Sequence, residues 1–353
     1  MRTVLKFALI LGTAGLALTP LPRYAVERVY SRGLYPIMQP RLTALSNSTP
    51  FAWFDALVLL TIAGTLALWT VRLRRRNAGL GRTLAGLTVD TAAIGALLYL
   101  WFLGAWGLNY QRQPLRDQLD YREDRITADA LRTLAERTVG ALNALHGEAH
   151  AAEWPELVNT RDLLVPAFRH AQRDLALSWT AHAGRPKRTL FNFYFTRVSI
   201  DGMTGPFFLE TLTNGTLLPF ERAATVAHEW SHLAGYAEES EANFVGWLVC
   251  MRGPAAVQYS GWLSLYGTVI GALPRSDREA VIRRLGDGPR ADLRAISDRI
   301  RGHAVPVASR AGYALYDRFL KANRVEAGVR SYGEVVRLLL GTRFNDDGSP
   351  VLR

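Results

Sequence analysis

Among 353 residues there is one cysteine, Cys250. No intramolecular disulfide can form, and a Cys-rich structural zinc site is excluded. Cys250 lies in an apolar stretch and reads as a core residue. Acidic side chains are outnumbered, 31 Asp and Glu against 42 Lys and Arg, for a formal net charge of +11. Such a balance fits nucleic acid, an anionic membrane surface or positive-inside loops. Nucleic-acid motifs of the usual kinds are missing and many Arg residues flank apolar stretches, so the charge reads as membrane-related, with no nucleic-acid partner. No internal repeat is found, which argues against a transporter built around Asp55 and Asp90. Histidine is scarce, with seven in the chain. Two of the seven, His228 and His232, bracket a Glu-Trp-Ser segment.

Long apolar runs are present where charge is not. The first covers residues 4–21 and is interrupted by Lys6. The segment Thr19-Pro20-Leu21-Pro22 is a poor signal-peptide cleavage site, so this run is expected to be an anchor. The second and third runs, residues 51–73 and 84–108, approach or exceed the ~20 residues that cross a bilayer. They carry Trp53, Trp69, Trp101 and Trp106, as membrane-interface segments do. Between them lie Arg72, Arg74, Arg75, Arg76 and Arg82. This densest basic loop is expected in the cytoplasm, which places residues 22–50 and everything from 109 onward outside. Asp55 and Asp90 fall near span ends, where interfacial solvation is the expected reading. The apolar stretch 255–273 is expected to be a buried helix rather than a fourth span.

His228 and His232 belong to the segment His228-Glu229-Trp230-Ser231-His232, an HExxH pattern. At this composition, chance produces such a pattern about once in a hundred chains. On a helix, residues i and i+4 share a face, so both imidazoles reach one ion, and two neutral imidazoles suit zinc. Glu229 is placed to take a proton from a water activated by that ion. Gly235 can end the helix. Glu238-Glu239-Ser240-Glu241-Ala242-Asn243-Phe244 then opens a second apolar helix, which returns a carboxylate toward the histidines. Glu239 is the first choice for third ligand, Glu241 the second and Glu238 the third.

Other segments place the motif. Residues 127–147 and 162–180 read as amphipathic helices. Residues 188–200, rich in β-branched and aromatic side chains, read as a strand. Residues 205–211 read as a second strand before the Asn214-Gly215 turn, and 205–212 is the candidate edge strand for pairing with extended peptide. Residues 276–301 read as an Arg-rich amphipathic stretch, and 310–342 as two more helices. Tyr313, Tyr316, Tyr332 or His303 from this last part is available to stabilise an oxyanion.

The segment from Glu239 to Asn243 resembles the E-x-x-A-[DN] signature of HtpX-like and CAAX-prenyl-type gluzincins, and the E-x-x-A-N-x-F of ImmA-like peptidases. That resemblance implies Glu239 as zinc ligand, with Asn243 bracing a ligand from behind. Here only six residues separate His232 from Glu239, fewer than those families usually have. Taken over its length, the chain resembles a family known as domain of unknown function 3810. The segments that carry this are Val26 to Pro36, Trp106-Gly107-Leu108-Asn109-Tyr110, the HExxH with Gly235 and Glu239 to Phe244, and Ser331-Tyr332-Gly333. The resemblance implies a membrane-anchored protein with a gluzincin-like domain, and it favours Glu239 or Glu241 over Glu238.

The expected fold is a mainly α membrane protein. About three N-terminal transmembrane helices (residues 1–108) precede an α+β zincin-like domain (residues 109–353) with a small sheet and a helical C-terminal part. The expected function is that of a multi-pass zinc metallopeptidase of the inner cell membrane. Its C-terminal domain would be extracytoplasmic, and its partners would be the lipid bilayer and a peptide or protein substrate. The alternative is a non-catalytic envelope protein with a structural or sensory zinc site.

Overall fold

Each long apolar run becomes a helix in the computed structural model, which describes residues 2–74, 79–325 and 333–353. Helix α1 spans Arg2–Leu18, and Pro20 and Pro22 follow it. The missing N–H groups of those prolines end the helical ladder. A second helical run begins at Arg23–Ala25, widens into a π-helix over Val26–Leu34 and closes with α2, Tyr35–Asn47. Helix α3 spans Trp53–Arg74 and α4 Gly79–Ala105. Both are long and apolar enough to cross a membrane. Helix α1 meets that test only jointly with the run from Arg23 to Asn47, from which it is bent by 108°. Only 6% of the apolar window of α3 is buried against the rest of the chain, so its surface needs an apolar surround. Of the expected basic loop, Arg75 and Arg76 lie outside the described residues.

Asp55 and Asp90 are buried, not solvated at an interface. The Asp90 carboxylate is paired with Lys6 of α1 and with Arg72 of α3 at 3.2 Å. Two cations cover its desolvation cost and tie three helices together. Asp55 accepts from the Thr189 hydroxyl and from the Leu190 N–H at 2.8 Å.

The remaining helices are α5 Ala128–Ala151, α6 Thr160–Asp174, α7 Asn192–Val198, α8 Pro219–Leu233, α9 Glu239–Met251, α10 Ala255–Ala272, α11 Arg275–Arg283, α12 Asp287–His303, α13 Pro306–Ala322 and α14 Val335–Gly341. Thr127 caps α5 by accepting from the Ala130 N–H at 3.1 Å. As expected, α10 is a buried helix, packed against α5, α8 and α9. Cys250 is fully buried beside it.

The strand expected over 188–200 is replaced by α7. Asn192 turns its side chain to the Gly215 N–H at 2.7 Å, and Ser199 closes the helix in the left-handed region at φ 61°. The aromatic residues there cover a short helix instead of a pleated face. The sheet is β1 Pro186–Lys187, β2 Gly202–Gly205 and β3 Glu210–Thr213, in the order β1-β3-β2. β1 runs parallel to β3, pairing Pro186 with Thr211, and β2 is antiparallel to it, pairing Thr204 with Thr211. The segment 205–212, expected to be one edge strand, instead holds the end of β2, the turn at 206–209 and the start of the central strand β3, and β2 is the edge beside α8.

Residues on both sides of the expected boundary at 108/109 share one core. Val26, Tyr30, Tyr35, Phe102 and Trp106 belong to the same cluster as Leu142, Phe168, Trp230 and Phe244. Residues 23–47, expected as an outer loop, form a helical brace. Tyr35 donates to the Leu233 carbonyl at 2.9 Å, and Thr43 to the Leu209 carbonyl at 3.0 Å. Glu210 on β3 accepts from the first N–H groups of α3, Trp53 at 2.9 Å and Phe54 at 2.8 Å, while paired with Lys187 at 2.8 Å. A carboxylate at a helix N-terminus is a favourable electrostatic contact. It fixes the sheet to the end of an apolar helix.

Candidate metal centre

Helix α8 carries the HExxH pattern and is punctuated by its own sequence. Pro219 occupies its first turn, and Glu221 accepts from the Leu218 N–H at 2.8 Å. At the other end the Gly235 N–H reaches the His232 carbonyl at 2.9 Å and the Tyr236 N–H reaches that of Ser231 at 3.1 Å. This is a Schellman closure, and the φ of +90° at Gly235 suits glycine. Four residues later α9 begins and packs in close contact with α8. At Gly246 the two backbones come close enough that a Cβ would lie 3.0 Å from the His228 Cα and N.

That approach brings Glu239 to the histidines. Its Oε2 lies 3.2 Å from His228 Nε2 and 3.7 Å from His232 Nε2. All three candidate ligand atoms are within 4.8 Å of one another. Donors held ~2.0–2.1 Å from a tetrahedral ion are about 3.4 Å apart, so the spacing fits a zinc-sized ion. The surroundings fit as well. His232 Nδ1 donates to the Tyr236 carbonyl at 2.7 Å, which leaves Nε2 free to ligate an ion. Tyr316 of α13 holds Glu239 Oε1 by a hydrogen bond. Glu239 Oε2 and His228 Nδ1 are buried with no hydrogen-bond partner. A cation would satisfy that oxygen.

Glu229 lies beside this triad, buried. Thr204 Oγ1 of β2 is 2.9 Å from both its Oε2 and its backbone carbonyl. Gly202 leaves room for the other oxygen, since a Cβ there would fall 2.5 Å from Oε1. Burial pushes both carboxyls up, and the imidazoles pull both down. Burial prevails at Glu229, which is raised, and the imidazoles prevail at Glu239, which is lowered well below its ordinary range. Burial disfavours a charged His232, yet Glu239 overrides it and pushes that imidazole up to about 9. Two carboxylates on adjacent helices are thereby driven in opposite directions, the pattern expected of one ligand and one base.

The family model for a protein of unknown function, DUF3810, matches residues 30–340. The chain belongs to the DUF3810 family. No curated protein and no solved structure matches it.

In this DUF3810 chain the other candidates point elsewhere. Glu241 accepts from the Leu115 N–H at 2.5 Å, and Glu238 lines a surface cleft with Arg23, Arg116 and Arg337. Asn243 stands one turn beyond Glu239, half-buried, with no hydrogen bond to Glu239 or either imidazole. His303 bonds the Arg299 carbonyl within its own helix, Tyr313 is exposed, and Tyr332 lies outside the described residues. Sequence reasoning missed three contributors. Thr204 and Gly202 act through a strand whose position only the fold reveals. Trp106, at the exit of α4, donates to the His232 carbonyl at 3.0 Å and stands edge-on to the His232 ring. The family-like Trp106 to Tyr110 segment was a signal for it.

Proposed function

We propose that this protein is a membrane-bound zinc metallopeptidase with a zincin-like site. The observation that carries the reading is the convergence of His228, His232 and Glu239 with Glu229 buried alongside. His228, His232 and Glu239 would hold the ion. Zinc bound there would supply Lewis acidity, acidifying a water and polarising the scissile carbonyl. Glu229 takes the proton of the attacking water and returns it to the leaving amine. Thr204 fixes one oxygen of that carboxylate, so the base approaches from one direction. β2, an edge strand beside α8, offers backbone groups to an extended peptide.

The topology belongs to the same proposal. Trp101 near the end of α4 donates to the Phe207 carbonyl at 3.0 Å, and Trp53 at the start of α3 packs against the Phe208 ring. Arg72 and Arg74 are at the opposite end of α3. With the basic end in the cytoplasm, the site faces the outside of the inner membrane.

The test is zinc analysis of the purified full chain together with hydrolysis of a peptide library. Bound zinc and cleavage are expected, and Glu229→Gln should keep the zinc and lose the cleavage. A Glu229→Gln variant with full activity overturns the mechanism. A zinc-loaded chain that cleaves nothing favours a structural or sensory zinc site.

A further inference from the structure

A second histidine pair stands one turn apart on α5. His146 and His150 stack with ring centroids 4.3 Å apart and planes at 29°. Both Nε2 atoms face Asp292 of α12, whose Oδ2 is 2.8 Å from His150 and 3.6 Å from His146. The three candidate ligand atoms lie within 4.8 Å of one another. Two imidazoles and a carboxylate are a donor set for a first-row divalent ion.

The surroundings are shaped to these groups. Tyr259 of α10 donates to Asp292 Oδ2 at 2.5 Å and orients the carboxylate, as an outer partner of a metal ligand does. Gly288 opens α12 against the His146 ring, and a Cβ there would lie 2.4 Å from it. Asp292 is nearly buried, whereas the side chains of His146 and His150 are 27% and 34% exposed. An ion can therefore arrive from solvent and keep water in its remaining positions.

We propose that His146, His150 and Asp292 form a second divalent-metal site, of the zinc class, that ties α5 to α12. It is separate from the first centre. His150 packs on Phe220 at the start of α8, 5.8 Å between centroids, and His228 lies eight residues further along that helix. At 1.5 Å per residue this is about 12 Å. The second ion would nonetheless bear on α8. Arg299 of α12 pairs with Glu221 of α8 at 2.6 Å and with Asp201, beside β2, at 3.0 Å. Holding α12 against α5 steadies the strut that supports the HExxH helix.

The test is zinc stoichiometry of the full chain in detergent, after equilibration with zinc and removal of the excess. Wild type should hold two ions, His146→Ala/His150→Ala one, and His228→Ala/His232→Ala one. A His146→Ala/His150→Ala variant that holds as much zinc as wild type overturns the proposal. A second measurement covers a variant that folds poorly. In the His228→Ala/His232→Ala background, added zinc should raise the thermal midpoint, and Asp292→Asn should abolish the rise. Absence of any rise in that background also overturns it. Both readouts are independent of peptide hydrolysis, so the second site stands or falls separately from the peptidase reading.

Discussion

Helices α8 and α5 each carry two histidines one turn apart, and each pair meets a carboxylate from another helix. Their settings differ. At the α8 pair, Glu239 of α9 and His232 are buried, and the residue after the first histidine, Glu229, turns inward onto Thr204. On α5 the acidic residue stands one place later, and Glu148 is exposed. One residue on a helix is ~100° of rotation, which decides whether a carboxylate lies beside the buried His-His-Glu cluster or faces water. On the proposed reading, ligand spacing alone does not make a catalytic centre, and a desolvated base held by a neighbouring strand is the second requirement.

The largest expected effect follows from that difference. Glu229→Gln should lower peptide hydrolysis by ~10²–10⁴-fold with its zinc retained. Glu148→Gln should leave hydrolysis unchanged. Steady-state rates on the best library peptide check both, and a loss in Glu148→Gln would dissolve the distinction between the two pairs.

A smaller effect separates the glycines near the two pairs. Gly246 of α9 faces the backbone of His228, which cannot swing aside as a side chain would. Gly246→Ala should part α8 from α9, cost about 1–3 kcal/mol of stability and weaken zinc binding as Glu239 withdraws. Gly147, between the histidines of α5, has nothing within 4 Å of a Cβ. Gly147→Ala should instead stabilise α5 by roughly 0.5–1 kcal/mol. Denaturant unfolding of the two variants checks the opposite signs.

Much of the α8 centre was legible because it is local. The HExxH spacing, the stop at Gly235 and the carboxylate-bearing start of α9 lie within a stretch of sixteen residues, where helix periodicity suffices to place side chains. The α5 pair was not read, since its third member lies 142 residues from His150 and only the fold joins them. The same holds for Thr204 and for residues 23–47, whose partners are distant in sequence. The strand expected over 188–200 fails for another reason. Its β-branched and aromatic residues satisfied a propensity, while Asn192 and Asp55 made tertiary hydrogen bonds that a short helix accommodates better. Length and apolarity marked the long helices α3 and α4, yet not the buried pairing of Asp90 with Lys6 and Arg72.

The smallest effect distinguishes the acidic residues at the start of α9. Glu239 is drawn toward the imidazoles, but Glu241 turns away into a site that burial dominates. Burial first, and the neighbouring Glu238 carboxylate next, push the Glu241 carboxyl up to about 8 from an ordinary 4.5, against the Leu115 N–H and Arg112. The folded chain thus holds this proton more tightly than the unfolded chain does. The resulting stability is complete below the ordinary value and is lost as pH rises through about 8. Gln at this position stays neutral at every pH and can still accept from the Leu115 N–H. Glu241→Gln should therefore match wild type in thermal midpoint near the ordinary carboxylate range and exceed it on the alkaline side. It should also keep the wild-type zinc content, since Glu239 supplies the ligand in the proposed centre. An alkaline midpoint below that of wild type would mean that a charged Glu241 stabilises the fold, and a loss of zinc would transfer the ligand role from Glu239 to its neighbour.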